Sequence, residues 1–323
     1  MRKINWGVLG TAGIARGQTI PGMVQAENCH LYAIAGRSME KAQAYQAEFG
    51  FERAYDSYDA LLNDPKVEAV YIPLPNHLHV EWAMRALKAG KHVLCEKPLA
   101  PTAAEAAALV ACAEANGVYL MEAYAYLHSP LTAAVKAELP RLGRILYMDS
   151  SFMTSDYDVS NIRMRRETFG GALYDLGCYC TTQIQWLLGE APDSVKAVAT
   201  FSDRNVDACT TGLLTFPSGA RATFSCGMVL ATEQDKRIDR CIIHGERGYI
   251  VNDSEFNQCG ELKYTVCVDG VCETKTVMTP HNYKLEVEQL GRCVAGEETP
   301  FVTNAFSLQN ARVMDEALKS MGY

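Results

Sequence analysis

Ile4-Asn5-Trp6-Gly7-Val8-Leu9-Gly10-Thr11-Ala12-Gly13-Ile14-Ala15 is the stretch that decides the fold. Residues 4–10 read as a buried strand that ends in glycine, and a helix follows from about Gly13. A dinucleotide-binding turn has three needs: a tight bend, close backbone approach to phosphate, and close helix–strand contact. Gly10 meets the first. Ala12 stands at the second glycine's usual place and Ala15 at the third. Small residues still admit a pyrophosphate to the helix N-terminus, where free N–H groups and the helix dipole favour anions. Gly10, Thr11, Ala12, Gly13, Ile14 and Ala15 are therefore candidate cofactor-binding residues. The degenerate hexapeptide is weak alone. Its weight comes from the order strand, turn, helix, second strand.

That second strand is 29–35, and Ser38 can cap the next helix, which Gly50 stops. An acidic residue at the strand's end would grip the ribose 2′-hydroxyl of NAD. This chain has Ala35-Gly36-Arg37-Ser38 there. Arg37 can pair with a 2′-phosphate, Ser38 can donate to it, and Lys41 adds charge. The expected cofactor is NADP, with NAD the alternative. Further on, 67–72 is a strand rich in β-branched residues, 78–88 a helix, and 91–94 a strand closed by Cys95-Glu96-Lys97-Pro98. Lys97 at that strand end sits where a bound nicotinamide would lie. Thr102 with Glu105 makes a capping box before an alanine-rich helix, and 118–122 is again a strand. Strands alternating with helices at this spacing imply right-handed βαβ units and a parallel sheet.

The pattern changes after about residue 123. A long helix is expected over about 171–188 and carries Asp175 and Tyr179. Seven alternating stretches follow without helices: 195–201, 208–216, 220–229, 237–244, 249–252, 262–268 and 271–277. Pro217-Ser218-Gly219 and Asp269-Gly270 supply turns. Helices near 283–295 and 307–319 close the chain. The expected fold is α/β. A Rossmann domain with a parallel sheet covers 1–122. A substrate-binding and oligomerisation domain of α+β type, built on an open and largely antiparallel sheet, covers 123–323. A cleft between them would hold the active site. Few helices are available to cover that second sheet, so a homodimer or dimer of dimers through an exposed sheet face is expected.

Composition narrows the functional classes. Hydrophobic residues make up 48% of the 323 and charged residues 21%, which argues for a folded globular chain. The net charge of −8 disfavours general attraction to nucleic acid or anionic membranes. The apolar runs are too short to cross a bilayer, and a cytoplasmic location is expected. Twelve scattered cysteines, without paired C-x-x-C spacing, read as free thiols in a reducing compartment. No metal site is expected. His77 and His79 stand two apart in a loop without an evident carboxylate partner.

The chain resembles the Gfo/Idh/MocA family of nicotinamide-dependent oxidoreductases. The residues that carry the resemblance are Gly10-Thr11-Ala12-Gly13-Ile14-Ala15, Pro75-Asn76-His77-Leu78-His79, Glu96-Lys97-Pro98, and Gly170-Gly171-Ala172-Leu173-Tyr174-Asp175-Leu176-Gly177-Cys178-Tyr179. Tyrosine at 179, where the inositol dehydrogenase branch usually has histidine, points to the branch of dimeric dihydrodiol dehydrogenase, NADP-dependent xylose dehydrogenase and glucose-fructose oxidoreductase. The resemblance implies that Leu74, Pro75, Asn76 and His79 line the ribose and nicotinamide side of the cofactor. It implies that Glu96 lies along the nicotinamide ribose, that Lys97 points into the active site, and that Glu122 lies near the nicotinamide end. Tyr174 departs from many relatives, which are smaller or apolar there, and it bears on pocket size.

Oxidising an alcohol removes a hydroxyl proton as hydride leaves carbon. A tyrosine with a pKa near ~10 is a poor base at neutral pH, and a lysine ammonium close by stabilises its phenolate. Tyr179 and Lys97 fit these two parts. Asp175, four residues earlier on the helix, shares a face with Tyr179 and can bind a substrate hydroxyl or orient Lys97. Arg163, Arg165 and Arg166 are open to two readings, anion binding or a solvated charge cluster. The expected activity is an NADP-dependent oxidoreductase acting on a small-molecule sugar or related cyclic polyol. The alternatives are a trans-dihydrodiol dehydrogenase on the same machinery and a non-catalytic nicotinamide-binding regulator. A regulator has no need of the Lys97 and Tyr179 pair.

Overall fold

Six short segments build the first sheet: β1 (Ile4–Leu9), β2 (Cys29–Ala35), β3 (Arg53–Tyr55), β4 (Ala69–Ile72), β5 (His92–Glu96) and β6 (Leu120–Ala123). The computed structural model describes residues 2–155, 160–229 and 237–323. The strands run parallel in the order β3-β2-β1-β4-β5-β6. The chain winds outward from β1 to β3, then crosses to β4 beside β1. The strand order therefore reverses between β1 and β4, the crevice where doubly wound sheets bind ligands. Helices on both faces explain why β4 is apolar throughout, with Ala69, Val70, Tyr71 and Ile72 all fully buried. Each such large side chain contributes about 1.5–3 kcal/mol. The expected caps form. Ser38 Oγ accepts from Lys41 N–H, and Thr102 Oγ1 accepts from Glu105 N–H at 3.2 Å while donating to the Glu105 carboxylate at 2.8 Å. The edge strand β3 is too short to show a period in sequence.

The second sheet holds β7 (Ile145–Thr154), β8 (Ser194–Phe201), β9 (Asp207–Thr215), β10 (Arg221–Gly227), β11 (Arg237–Gly245), β12 (Gly248–Asn252), β13 (Gly260–Val268) and β14 (Val271–Thr279). Their order is β14-β13-β12-β11-β7-β10-β9-β8, and β7 pairs with β10 in parallel while the other pairs are antiparallel. Eight strands stand where alternation marks seven. The extra one, β7, lies near the middle of the sheet. It is masked by Asp149, Ser150 and Ser151, which put polar atoms on both faces. Ser150 turns inward and donates to Gln183 at 2.7 Å, while Asp149 accepts from Thr223 at 2.6 Å on the outer face. The inner face packs against the helix Cys178–Leu188. The outer face exposes Tyr147, Val198, Leu213, Ile238, Tyr249 and Met278.

By packing, the chain separates into two units: Met1–His128 with Pro280–Leu308, and Ser129–Thr279 with Gln309–Tyr323. The expected boundary at 122/123 put 280–308 in the second domain. In the structure the helix Asn282–Val294 returns to the first unit, packs on the helix Ile20–Gln25, and buries Tyr283, Val287 and Leu290. The reading of all twelve cysteines as free thiols is corrected at one place. Cys267 and Cys272 face each other across the β13–β14 hairpin and form a disulfide, while the other ten are free. The two-residue turn at Asp269-Gly270 sets the cross-strand register that brings them together. Among the described residues no helix is long and apolar enough to cross a membrane, and no group of three or more His, Cys, Asp or Glu side chains converges as a metal site would.

Candidate active site

At the end of β1, Gly10 donates its N–H to Ala35 at 2.8 Å and turns the chain with φ +123°. A Cβ there would meet Leu74 Cδ2 at 2.9 Å, so glycine lets the loop after β4 close on the turn after β1. Thr11, Ala12 and Ile14 are half-buried and Gly13 is exposed, with open space on its Cβ side. Ala15 is buried and begins a π-helical turn, Ala15–Thr19, that leads into Ile20–Gln25. The first helix thus starts at the switch point, open to solvent, where an anion can meet its N–H groups. At the end of β2, Arg37 is exposed and its charge is felt by Tyr58. Ser38 is half-buried at the cap.

The ends of β4, β5 and β6 converge on a second cluster. Lys97 follows β5 and is half-buried. Its charge acts on both His79 and Glu122. Leu74 is buried, and Pro75 and Asn76 are half-buried at the start of the helix Asn76–Lys88. His79 is enclosed, with Nδ1 2.8 Å from Pro98 O and Nε2 2.7 Å from Leu74 O. Burial pulls its pKa down to about 4 against those two carbonyls. The neutral ring has one N–H, so it donates to one of these carbonyls and lies against the other, between the loops after β4 and β5. Glu122 accepts from Leu99 N–H at 2.8 Å, and burial lifts its pKa to about 7 against bonds from Ser307 and Tyr124 and the charge of Lys97. Glu96 accepts from Tyr71 at 2.6 Å, and Tyr71 accepts from Thr19 at 2.8 Å. Glu286, on the helix Asn282–Val294, is fully buried near Glu96, and burial holds its carboxyl well above the ordinary range. Glu286 was not legible as part of this cluster, because it lies 190 residues from Glu96 in sequence.

In the second unit, Gly171 turns the chain with φ +119° ahead of another π-helical turn, Leu173–Gly177, and the helix Cys178–Leu188. A Cβ on Gly171 would overlap the Asp207 carboxylate. That carboxylate accepts from Leu173 N–H and from Thr210, each at 2.7 Å, and burial lifts its pKa to about 6. Asp175 is buried and accepts from Arg163 Nε at 2.7 Å. Tyr179 is buried against Phe152 and Phe256, with ring centroids 5.5 and 5.2 Å away. Tyr174 packs between Phe169 and Tyr323, both at 6.1 Å, inside this unit. The arginine loop is tied to the protein itself. Arg165 donates to Ser160 O at 3.1 Å, and Arg166 donates to Asn205 O at 3.2 Å and lies over Tyr323.

The structure thus gathers the cofactor candidates of the first unit at one edge of one sheet, and Asp175 and Tyr179 on one helical segment of the other unit. Arg163, read as an open question, becomes the partner of Asp175. Phe152, Phe256, Arg237 and Asp239 around Tyr179 were not singled out by sequence. Their one signal is the pair of charges at 237 and 239, two apart on an expected strand.

Residues 4–124 match the family described as oxidoreductase family, NAD-binding Rossmann fold, and residues 136–251 match the GFO/IDH/MocA C-terminal domain. The chain is 37% identical to a D-xylose 1-dehydrogenase (NADP(+)) of Haloferax volcanii over 98% of this chain and 96% of that one. It is 28% identical to a trans-1,2-dihydrobenzene-1,2-diol dehydrogenase of Xenopus tropicalis over 98% of each. Among solved structures it is similar to a 3-ketoreductase from Actinomadura kijaniata in complex with NADP and TDP-benzene. The TM-score is 0.92 at 30% identity, covering 99% of this chain and 98% of that one.

Proposed function

The chain belongs to the Gfo/Idh/MocA family of oxidoreductases, and we propose that it is an NADP-dependent dehydrogenase or reductase acting on a sugar or related cyclic polyol. One observation carries the reading. The open helix start after β1, exposed Arg37 after β2 and Lys97 after β5 all lie at the C-terminal edge of one parallel sheet. Gly10 through Ala15 would hold the pyrophosphate, and Arg37 with Ser38 the 2′-phosphate. Glu96, Leu74, Pro75 and Asn76 would lie along the nicotinamide half, with His79 fixing their loop from behind. When bound, the nicotinamide supplies or accepts the hydride.

The chain's own residues handle the proton. In the reducing direction the Tyr179 hydroxyl gives its proton to the developing alkoxide; in the oxidising direction the phenolate takes the hydroxyl proton. Lys97, at the nicotinamide end of the cofactor edge, would hold the substrate oxygen. Asp175, fixed by Arg163, accepts from a second substrate hydroxyl. Glu122 anchors Leu99 and so steadies the Lys97 segment.

A second substrate class, an aromatic trans-dihydrodiol, is favoured by the Phe152 and Phe256 rings beside Tyr179. Spectrophotometric assays of free sugars, polyols and trans-dihydrodiols with NADP and NAD separate the two classes. Turnover with a sugar and faster rates with NADP are expected. Tight NADPH binding without turnover on any of them would instead indicate a regulator. For assembly, the exposure of Tyr147, Val198, Leu213, Ile238, Tyr249 and Met278 on the outer face of the second sheet supports a homodimer. Light scattering at micromolar concentration should give twice the chain mass, and a monomer would refute it.

A further inference from the structure

Two charges on the inner face of β11 are placed around Tyr179 in a way that a purely structural salt bridge does not require. Period-2 alternation puts Arg237 and Asp239 on the same face of β11, and the register sets Asp239 directly opposite Phe152 of β7. Arg237 binds Asp239 with both arms of its fork, at 2.9 and 2.6 Å. The same guanidinium donates to Phe256 O at 2.9 Å and lies over the Phe152 ring at 4.5 Å. Asp239 in turn accepts from Phe256 N–H at 2.6 Å. Phe152 and Phe256 stack on each other at 5.2 Å, and both rings pack on Tyr179.

We propose that the Arg237–Asp239 pair is the positioning device of Tyr179, clamping the two rings that flank the phenol and setting a permanent cation one ring away from it. The proposal rests on the reading of Tyr179 as the acid/base group. It gives that group a charged support carried on its own unit. Burial works to lower the Arg237 pKa, but Asp239, Glu255 and Tyr179 together raise it above the ordinary value, so the cation is permanent. Burial lifts the Asp239 carboxyl, against the pull of Arg237. Among the described residues, the other charged groups of this unit near the cluster include Glu255, 3.7 Å from Arg237, and the Asp175–Arg163 pair one turn earlier on the helical segment.

The test is the titration of the Tyr179 phenol, read by NMR in full-length protein labelled at tyrosine Cζ, with Tyr179→Phe to assign the signal. Arg237→Met should raise the Tyr179 midpoint, by less than the roughly one pH unit expected of an opposite charge in direct contact, because a ring lies between them. The pH profile of kcat should move with it. Arg237→Lys, which keeps the charge and loses the fork, should move it by less than half as much. Glu255→Gln removes an exposed anion beside Arg237 and should lower the midpoint in a folded protein. A midpoint unmoved in both Arg237→Met and Glu255→Gln overturns the proposal. If Arg237→Met fails to fold by circular dichroism, Glu255→Gln decides alone: a lowered midpoint supports the proposal and an unchanged one overturns it. The signal does not depend on turnover. Full activity of Tyr179→Phe would therefore sink the acid/base reading while leaving the charge coupling standing.

Discussion

The helical segments that follow Gly10 and Gly171 begin alike and finish their beginnings differently. Each has a glycine at positive φ, +123° and +119°, and each opens with a π-helical turn, Ala15–Thr19 and Leu173–Gly177. Such wide turns are frequent at functional sites. After Gly10 the first helix start faces solvent, with open space beside Gly13. After Gly171 the start is filled by the protein's own carboxylate, since Asp207 accepts from Leu173 N–H. One helix N-terminus is left for an outside anion. The other is satisfied from within, and its segment carries fixed side chains, Asp175 and Tyr179. The physics of a helix start is the same in both; the occupant decides whether it binds a ligand or holds a side chain still.

The sharpest way to break this comparison is Tyr179→Phe. It should lower kcat on the order of 10²–10⁴-fold, the usual loss of a general acid/base, while NADPH affinity stays within a factor of two or so, because Tyr179 belongs to the unit without the dinucleotide turn. Near-normal kcat with chemistry rate-limiting would move the proton role elsewhere, with Asp175 next in line.

A smaller effect comes from the two buried carboxyls that accept backbone N–H groups, Asp207 in one unit and Glu122 in the other. Both folded pKa values are raised, to about 6 from 3.8 and to about 7 from 4.5. The folded state therefore holds protons that the unfolded state releases. Stability should fall as pH rises through 3.8–6 for Asp207 and 4.5–7 for Glu122, by about 3 kcal/mol each. Denaturant unfolding at pH 3.5 and pH 8 spans both windows and measures the sum. Glu122→Gln, which keeps the acceptor for Leu99, should flatten the upper part of that curve. An unchanged slope in this variant would mean that Glu122 is not the buried acid described.

The smallest expected effect isolates the open helix start. Arg37→Ala should weaken NADPH binding about tenfold, in the range of a single charge-assisted hydrogen bond, and leave NADH binding nearly unchanged. Binding titrations with both cofactors measure it. A variant that loses affinity for both equally would place Arg37 in the fold and not at a 2′-phosphate.

Much of the first unit was legible because its signals are local. Gly10 before a helix, Ser38 and Thr102 as caps, and the continuous apolar run of β4 each act within a few residues. β7 was not legible, since its Asp149, Ser150 and Ser151 hide the two-residue period. The return of Asn282–Val294 to the first unit was not legible either, because an amphipathic helix does not say which sheet it covers. Cys267 and Cys272 stood out as a close pair but were weighed only as metal ligands, and the expected hairpin around Asp269-Gly270 is what sets them opposite each other.

For the candidate site, the parts could be read from neighbouring residues: a dinucleotide turn, an arginine where an acid would select NAD, a lysine at a strand end, and a tyrosine one turn beyond an aspartate. Only the tertiary structure decided their partners. It gave Arg163 to Asp175, enclosed His79 between two carbonyls, closed the second helix start with Asp207, and surrounded Tyr179 with Phe152, Phe256 and the Arg237–Asp239 pair. The reason is physical. Backbone preference and capping depend on neighbours in sequence, whereas the charge state and orientation of a buried side chain depend on whatever the fold brings within a few ångströms of it.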